Sequence, residues 1–202
     1  TGVARERSVS GSFQLTSASL IGASRMSSPS EAAESWASAL TDLLIDPARK
    51  LAGRVFTMSG HIDQTLDPHE SLLRWTGFLS RAEPGSVVIC QPNNSAIALM
   101  GELSAETLKL RGVRGYIVDG GCRDTEFILK IGFPVFCSFN TPADIVGRWV
   151  PGRFGEPLTI GNVTIATGDY ILGDRDGVVV IAGNIAADVI AKTEDVISTE
   201  NQ

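Results

Sequence analysis

Three short apolar segments with helical segments between them constrain the fold of this chain more than any other feature. Ser86–Cys90, Gly115–Val118 and Pro134–Ser138 have the composition of strands that are buried on both faces. Helices are predicted between them, over Leu99–Leu110 and Thr125–Lys130. Because a strand, a helix and a second strand joined in this order form a right-handed crossover, the strands are expected to pair in parallel. The core is therefore predicted to be α/β.

The segments before this core predict two helices and one strand. A helix is expected over Ser30–Leu44, because Ser30 is a good N-cap, apolar residues follow with helical periodicity, and Pro47 comes soon after. A strand over Arg54–Met58 and a helix over His69–Arg81 are expected next. These elements would add one strand and further helical cover to the core.

The segments after the core differ in character. Pro142–Pro157 is expected to be one long irregular link. Four short strands with glycine-containing turns between them are then predicted to pair antiparallel: Pro157–Ile160, Val163–Ile165, Asp169–Leu172 and Gly177–Ile181. A helix from Ile185 to about Ser198 follows. Together these elements predict mixed sheets flanked by helices, with no internal repeat.

Length and charge limit the number of domains and the class of partner. With 202 residues the chain can form one core of ordinary size, and we assign residues 1–29 to an N-terminal extension and residues 30–202 to a single domain. The formal net charge is -6, and the Lys and Arg residues do not form a stripe. Since binding to a phosphate backbone would then have little electrostatic drive, nucleic acid is not expected as a partner.

Cysteine use and hydropathy bear on the compartment. Cys90, Cys122 and Cys137 lack a C-x-x-C spacing, which argues against a disulfide framework and a zinc site and favours reduced thiols. The apolar runs are too short to cross a bilayer. Residues 1–28 lack the continuous apolar segment of a secretory signal, and the absence of a starting Met suggests a trimmed chain. A cytoplasmic location without a membrane partner is expected.

Arg123 and Asp124 are candidates for chemistry because of their place in this pattern. They follow a buried strand that is predicted to end at a turn containing Gly120 and Gly121, and α/β folds usually build their sites at the carboxyl ends of strands. A carboxylate there can ligate a cation such as Mg²⁺ through one oxygen, while waters and substrate complete the shell. The adjacent guanidinium can bind a substrate carboxylate or carbonyl oxygen.

Gly101, Glu102 and Leu103 form a second candidate element. They lie near the start of a predicted helix, where free backbone N–H groups and the helix dipole favour an anionic ligand. Glu102 could then reach the water shell of a metal.

A simpler interpretation of Arg123 and Asp124 stays open, in which Asp124 N-caps the helix that starts at Thr125 and Arg123 pairs with it on the surface.

Other polar and aromatic residues have simpler explanations. His69 and Glu70 are adjacent near a helix start and favour a capping or surface role. His61 is a single loop histidine without an evident partner. The segment Asp174–Asp176 is typical of a turn before a buried strand. The tryptophans, which are Trp36, Trp75 and Trp149, are expected to be core or interface anchors.

Several sequence blocks resemble the RraA-like proteins, a family that includes the class II pyruvate aldolases. The blocks are Gly101–Leu103, Arg111–Gly115, Val118–Asp124, Gly132–Phe136, Thr141–Ile145, Gly168–Tyr170 and Gly173–Val180. Twenty residues separate Glu102 from Arg123, which resembles the family's spacing between its acidic site residue and its Arg-Asp pair. The resemblance covers roughly residues 50 to 202.

This resemblance implies a fold, an assembly and a reaction. The fold is a swivelling β/β/α-type layered sandwich, and the assembly is a homotrimer or homohexamer with sites between subunits. The reaction is divalent-metal-dependent cleavage of a 4-hydroxy-2-oxo acid to pyruvate, of the 4-hydroxy-4-methyl-2-oxoglutarate or 4-carboxy-4-hydroxy-2-oxoadipate type, often with oxaloacetate decarboxylation. By the same resemblance, Asp124 would ligate Mg²⁺ or Mn²⁺ and Arg123 would clamp the substrate.

The chemistry of such a site assigns the remaining roles. Cleavage of the carbon–carbon bond leaves an enolate, whose charge the cation and Arg123 would neutralise. Backbone N–H groups of Gly101, Glu102 and Leu103 would hold the substrate carboxylate. Glu102 would position or deprotonate a water that takes the proton from the leaving hydroxyl.

Two alternatives stay open. The regulators of ribonuclease activity that share this fold act by binding partner proteins, but they lack the aspartate of the Arg-Asp pair, and this chain has Asp124. A lyase for a different oxo-acid is also compatible, because the walls of the pocket decide substrate length and branching. In either lyase a carboxylate from a neighbouring subunit, Glu194 or Glu200, is a candidate to complete the site.

Overall fold

The computed structural model describes residues 25–26, 43–44, 46 and 48–200. Its strands are β1 (Arg25–Met26), β2 (Leu43–Leu44), β3 (Leu51–Ile62), β4 (Ser86–Gln91), β5 (Gly115–Cys122), β6 (Val135–Asn140), β7 (Trp149–Phe154), β8 (Leu158–Ile160), β9 (Val163–Ile165), β10 (Tyr170–Asp174) and β11 (Gly177–Ile181). Its helices are α1 (Pro68–Arg81), α2 (Glu102–Leu110), α3 (Thr125–Ile131) and α4 (Ala186–Glu200). No helix among the described residues is long and apolar enough to cross a membrane.

The parallel core predicted from the sequence is confirmed. β3 pairs in parallel with β4, β4 with β5, and β5 with β6. A helix follows each of the first three of these strands before the chain returns to the sheet. Gly112 and Gly132 take left-handed φ angles of 79° and 65° just after α2 and α3, which lets each helix end and the chain turn back.

The sheet is mixed, and its two faces are covered differently. Its described strands run in the order β1-β11-β10-β3-β4-β5-β6-β2, with β7 also paired to β3. On one face, residues of α1, α2 and α3 such as Trp75, Leu108 and Ile128 pack on strand residues in one apolar cluster. On the other face, the β8–β9 hairpin packs on residues such as Ile89 and Phe136 in a second cluster. This arrangement confirms the predicted mixed α/β fold with flanking helices.

The helix predicted over Ser30–Leu44 is wrong at its end. Leu43 and Leu44 form β2, which pairs antiparallel with Cys137 and Phe136 of β6. Residues 30–42 of this prediction lie outside the described residues. The backbone N–H and C=O groups at the edge of β6 need hydrogen-bond partners. Pairing with this edge therefore outweighs the helical spacing of the leucines.

The segment Pro142–Pro157 is not one irregular link, because it contains β7. This strand pairs antiparallel with the C-terminal half of β3, next to the stretch of the same edge that β10 covers. Pro151 and Gly152 interrupt the sequence pattern of a strand, which is why periodicity did not predict it. The pairing also needs Gly60 of β3, where a Cβ atom would collide with the ring of Trp149.

Two boundaries near the candidate site also differ from prediction. α2 begins at Glu102, three residues later than Leu99 in the predicted helix, because Leu99 N donates to Gly121 O at 2.8 Å. β5 continues through Gly120 and Gly121 instead of turning there. A Cβ on Gly120 would lie 2.8 Å from Pro92 Cγ, and one on Gly121 would lie 2.8 Å from Ile97 O. These glycines allow the loop after β4 to cross the end of β5.

Candidate functional site

Arg123 and Asp124 lie where β5 ends and α3 begins. Asp124 has φ 56° and ψ 37°, a left-handed conformation that costs on the order of 1 kcal/mol in most residues with a side chain. Its carbonyl oxygen accepts hydrogen bonds from Phe127 N and Ile128 N at 3.1 Å. Its side chain makes no capping hydrogen bond to α3, all of whose residues are described. The main chain of Asp124 begins the helix, and the carboxylate is free for another role.

The Asp124 carboxylate binds the N-terminus of α2 instead. Its Oδ2 accepts a hydrogen bond from Glu102 N at 3.0 Å. Glu102 is the first residue of α2, and the N-cap residue Gly101 has no side chain with which to cap it. The unpaired N–H groups and the dipole of a helix N-terminus favour an anion. The fold therefore brings Glu102 and Asp124 together, although 22 positions separate them.

Gly101 is buried between α2 and the Arg-Asp pair. A Cβ atom at this position would lie 2.7 Å from Asp124 Oδ2 and 2.9 Å from Arg123 Nε. Both distances are shorter than van der Waals contact, so a side chain would displace one of the two groups. The φ of Gly101 is -152°, which any residue can adopt. The close approach of these groups, and not the backbone conformation, therefore requires a glycine here.

Arg123 lies between two carboxylates. Its Nε is 3.6 Å from Asp124 Oδ2, and its Nη1 is 3.7 Å from Asp144 Oδ2. Asp144 lies in one of the family-like sequence blocks, but the sequence pattern alone predicts no role for it. The signal that could have found it is its place just after β6, because the carboxyl ends of adjacent parallel strands meet at one edge of a sheet.

The predicted substrate-binding residues lie at the same edge. The Glu102 side chain is half-buried, whereas that of Leu103 is 76% exposed. The Glu102 N–H already donates to Asp124, and among the described residues no hydrogen-bond acceptor is found for the N–H of Gly101 or Leu103. The roles of these three residues towards a substrate stay predictions.

The donor set around Asp124 fits an open metal site and not a closed one. In the described part of the chain, no group of three or more His, Cys, Asp or Glu side chains is close enough to hold a metal ion. Mg²⁺ commonly uses only one or two protein carboxylates and completes its shell with waters and substrate. Both contacts found for the Asp124 carboxylate among the described residues are made by Oδ2, and Oδ1 is therefore available to a cation.

The three cysteines belong to no cluster of metal-ligating side chains among the described residues. Cys90, Cys122 and Cys137 are buried, and none of them forms a disulfide in the described part of the chain. Burial raises the pKa of the Cys90 thiol to about 12. A hydrogen bond with Cys137, together with burial, holds the pKa of Cys122 far above its usual range. The hydrogen bond with Cys122 lowers the pKa of Cys137, although burial opposes this. Because the thiolate is the form that ligates metals and attacks electrophiles, the raised pKa values make Cys90 and Cys122 poor ligands and nucleophiles.

The other candidates lie in structural positions. His69 N donates to the Asp67 side chain at the start of α1, and Glu70 pairs with Arg74 at 2.9 Å. His61 lies in β3 and not in a loop, with its side chain exposed. Asp174 ends β10, and Asp176 lies in the tight turn before β11, as predicted.

The remaining predictions concern tryptophans and the C-terminal glutamates. Trp75 and Trp149 are core residues, and Trp36 lies outside the described residues. Glu194 is exposed on α4, and the Glu200 side chain also lies outside the described part. The contribution of either glutamate to a neighbouring subunit stays a prediction.

The chain is similar to known proteins in both sequence and fold. It is 32% identical over 114 residues to a protein of Halalkalibacterium halodurans provisionally named 4-hydroxy-4-methyl-2-oxoglutarate aldolase, with 56% of this chain and 54% of that protein covered. The chain thus spans about half the length of this relative.

Solved structures share the fold. One described as belonging to novel cellulases from microbes associated with the gut ecosystem has a TM-score of 0.73 and 29% identity, over 78% of this chain and 71% of that one. Streptomyces coelicolor RraAS2, an unusual member of the RNase ES inhibitor RraA protein family, has a TM-score of 0.70 and 24% identity, over 81% and 82%. The Aldolase/RraA family model matches residues 31–180, more than half of the chain, and the chain belongs to the RraA-like family.

Proposed function

We propose that this chain is a divalent-metal-dependent carbon–carbon lyase that cleaves a 4-hydroxy-2-oxo acid to pyruvate, decarboxylates oxaloacetate, or does both. The observation that carries the proposal is the position of the Asp124 carboxylate, which is turned from its own helix towards the N-terminus of α2 beside Arg123. The provisional name of the Halalkalibacterium halodurans relative supports the substrate class. A carboxylate used to cap α3 would instead accept a hydrogen bond from an N–H of the first turn of α3, and Asp124 accepts none there.

Asp124 is the residue that would hold Mg²⁺ or Mn²⁺. When bound, such an ion acts as a Lewis acid and stabilises negative charge on substrate oxygens. Asp124 and Asp144 place two carboxylates against the single guanidinium of Arg123. This excess of negative charge favours a divalent cation beside Asp124.

Arg123 would bind and orient the oxo-acid. Its guanidinium offers several donors in one plane, which suits a carboxylate or the oxygen of a developing enolate. As the bond between C3 and C4 of a 4-hydroxy-2-oxo acid breaks, its electrons move into the enolate of pyruvate, and Arg123 neutralises part of that charge. The N–H groups of Gly101 and Leu103 would hold the substrate carboxylate at the positive end of α2.

Glu102 would manage the protons. The hydroxyl at C4 must lose its proton for the leaving fragment to become a carbonyl, and Glu102 would accept it through a water molecule. The enolate then gains a proton at C3 and leaves as pyruvate. In decarboxylation, CO₂ leaves in place of the carbonyl fragment, and no hydroxyl proton is transferred.

We further propose that the active form is a homotrimer or homohexamer in the cytoplasm, with the site between subunits. The exposed side chain of Leu103, at the first turn of α2, supports this because an apolar residue next to a polar site is often covered by a partner. The three buried thiols are consistent with a reducing compartment.

The test measures pyruvate release from 4-hydroxy-4-methyl-2-oxoglutarate, 4-carboxy-4-hydroxy-2-oxoadipate and oxaloacetate, with Mg²⁺, with Mn²⁺ and with EDTA. Asp124→Asn and Arg123→Ala are expected to lower kcat/KM on the order of 100-fold or more. Asn at 124 keeps an acceptor for the Glu102 N–H, so the α2 contact survives while the charge is lost.

The chain contains a matched control. Arg175 and Asp176 are also adjacent and form an ion pair at 3.9 Å on the exposed β10–β11 turn. Arg175→Ala and Asp176→Asn should therefore retain full activity. Activity that survives EDTA, or the same loss in both pairs, would contradict the metal-dependent lyase. Absence of pyruvate release from all three acids would contradict this substrate class and favour the protein-binding regulator or a lyase for a different oxo-acid.

A further inference from the structure

Asp144 uses its two carboxylate oxygens for different contacts. Oδ1 accepts a hydrogen bond from Val146 N at 3.2 Å. Oδ2 faces Arg123 Nη1 at 3.7 Å. One oxygen therefore holds the local turn of the loop, and the other meets the guanidinium.

The loop that carries Asp144 is anchored on both sides of this residue. Ala98 N donates to Ala143 O at 2.7 Å, and Thr141 N donates to Cys122 O at 3.0 Å. The following residue, Ile145, is buried in the core cluster. Since the backbone is held before and after it, the Asp144 carboxylate has a fixed position relative to the end of β5.

Arg123 is held from the opposite side by Asp124, whose Oδ2 is 3.6 Å from its Nε. Asp124 and Asp144 are the two carboxylates within ion-pair distance of the Arg123 guanidinium among the described residues. If Asp144 lost its charge, the guanidinium would turn towards Asp124 alone. It would then compete with a cation for that carboxylate.

We infer that Asp144 is a positioning residue that holds the Arg123 guanidinium between two carboxylates and thereby keeps Asp124 available to a divalent cation. The first half of this inference concerns contacts within the chain and is independent of any reaction. The second half rests on the proposed function. Asp144 itself need not touch the substrate.

The test uses Asp144→Asn in the full chain. Asn retains an oxygen for the Val146 N–H and preserves the turn, but it removes the charge and can place an NH₂ group against the guanidinium. The first readout is the Arg123 Nε–H resonance in nitrogen-15 NMR spectra, assigned with Arg123→Lys. We expect this resonance to shift and to exchange faster with solvent in Asp144→Asn.

The second readout is Mn²⁺ binding, measured from free Mn²⁺ by EPR without substrate. Because the three side chains are more than a third exposed, solvent screens their interaction, and we expect a modest rise in the dissociation constant, about two- to five-fold. Asp144→Glu restores the charge at a shifted position and should recover part of both effects. The KM for the oxo-acid should rise more than kcat falls.

Asp174→Asn is the matched control. Asp174 Oδ1 also accepts a hydrogen bond from the N–H two residues later, Asp176 N at 2.9 Å, and the substitution removes the same charge on the far β10–β11 turn. It should change neither readout. An unchanged Arg123 resonance in Asp144→Asn, or equal changes in both variants, overturns the positioning role. If instead wild type and Asp124→Asn bind Mn²⁺ equally, the proposed function fails, and the NMR result still decides the role of Asp144.

Discussion

Gly101 lies between α2 and the Arg123–Asp124 pair, and its missing side chain allows these groups to meet. The Asp124 carboxylate then caps α2 in place of a side chain at the N-cap position. Asp124 also adopts a left-handed backbone conformation, which is an energetic cost that the surrounding contacts must offset. At the scale of single residues, Asp124 therefore keeps a costly backbone conformation at the site where its carboxylate caps α2.

We expect Gly101→Ala to lower activity on the order of 10-fold or more while the protein stays folded. The added methyl group would lie within 3 Å of both Asp124 Oδ2 and Arg123 Nε and would displace one of them. Pyruvate release and thermal unfolding measure the two effects separately. Gly77 is the control, because it lies inside α1 and a Cβ atom added there would have no neighbour within 4 Å, and Gly77→Ala should stabilise the protein by about 0.5–1 kcal/mol. Full activity in Gly101→Ala would contradict the tight approach.

At the scale of elements, α1 fixes the start of α2. Trp75 of α1 is buried, and its Nε1 donates to Ser104 Oγ of α2 at 2.8 Å. The Trp75 ring also packs edge-on against Trp149 of β7, with centroids 6.0 Å apart. The first turn of α2, which carries the candidate site, is therefore tied to both a helix and a strand.

Ser104→Ala is expected to destabilise the fold by about 1–3 kcal/mol, because it leaves the buried indole N–H of Trp75 without an acceptor. The free energy of unfolding in urea measures this. Ser80→Ala is the control for the loss of a serine hydroxyl, since Ser80 Oγ donates to Thr76 O on the exposed side of α1. It should change stability by less than about 0.5 kcal/mol. Equal effects of the two substitutions would show that the α1–α2 bond contributes nothing specific.

At the scale of the whole molecule, one exposed apolar surface lies next to the candidate site. Leu103 and Leu110 are 76% and 82% exposed, and they lie two turns apart on the same face of α2. Leu129 of the adjacent α3 is 43% exposed. Because this surface begins at the candidate site, it is the place where we expect a second copy of the chain to bind.

Light scattering after size exclusion should therefore give three or six times the chain mass of 21.4 kDa. Leu110→Asp should lower this mass and the activity together, since a charge in an apolar interface is costly. Leu73→Asp on α1, where the native side chain is 52% exposed, should leave the mass unchanged. A monomeric wild-type protein with full activity would contradict assembly through this face.

The sequence by itself determined the parallel core and the place of the Arg-Asp pair at the end of one of its strands. These features depend on local patterns: apolar runs, helical spacing and the glycines that end helices. The sequence pattern predicts a turn at Gly120 and Gly121, whereas both lie in β5, because their packing partners Pro92 and Ile97 come from a different part of the chain. The pattern of residues within one segment does not show which other segment of the chain will pack against it.

The tertiary structure alone decided the direction of the Asp124 carboxylate, the role of Gly101, the pairing of β7 and the approach of Asp144 to Arg123. Each depends on contacts between residues that are distant in sequence, such as the bond from Glu102 N to Asp124 Oδ2. The register of parallel strands sets which loops meet at the sheet edge, and this register follows from how the whole core packs. Local chemistry supplied the candidate groups, and packing of the complete sheet gave them their positions.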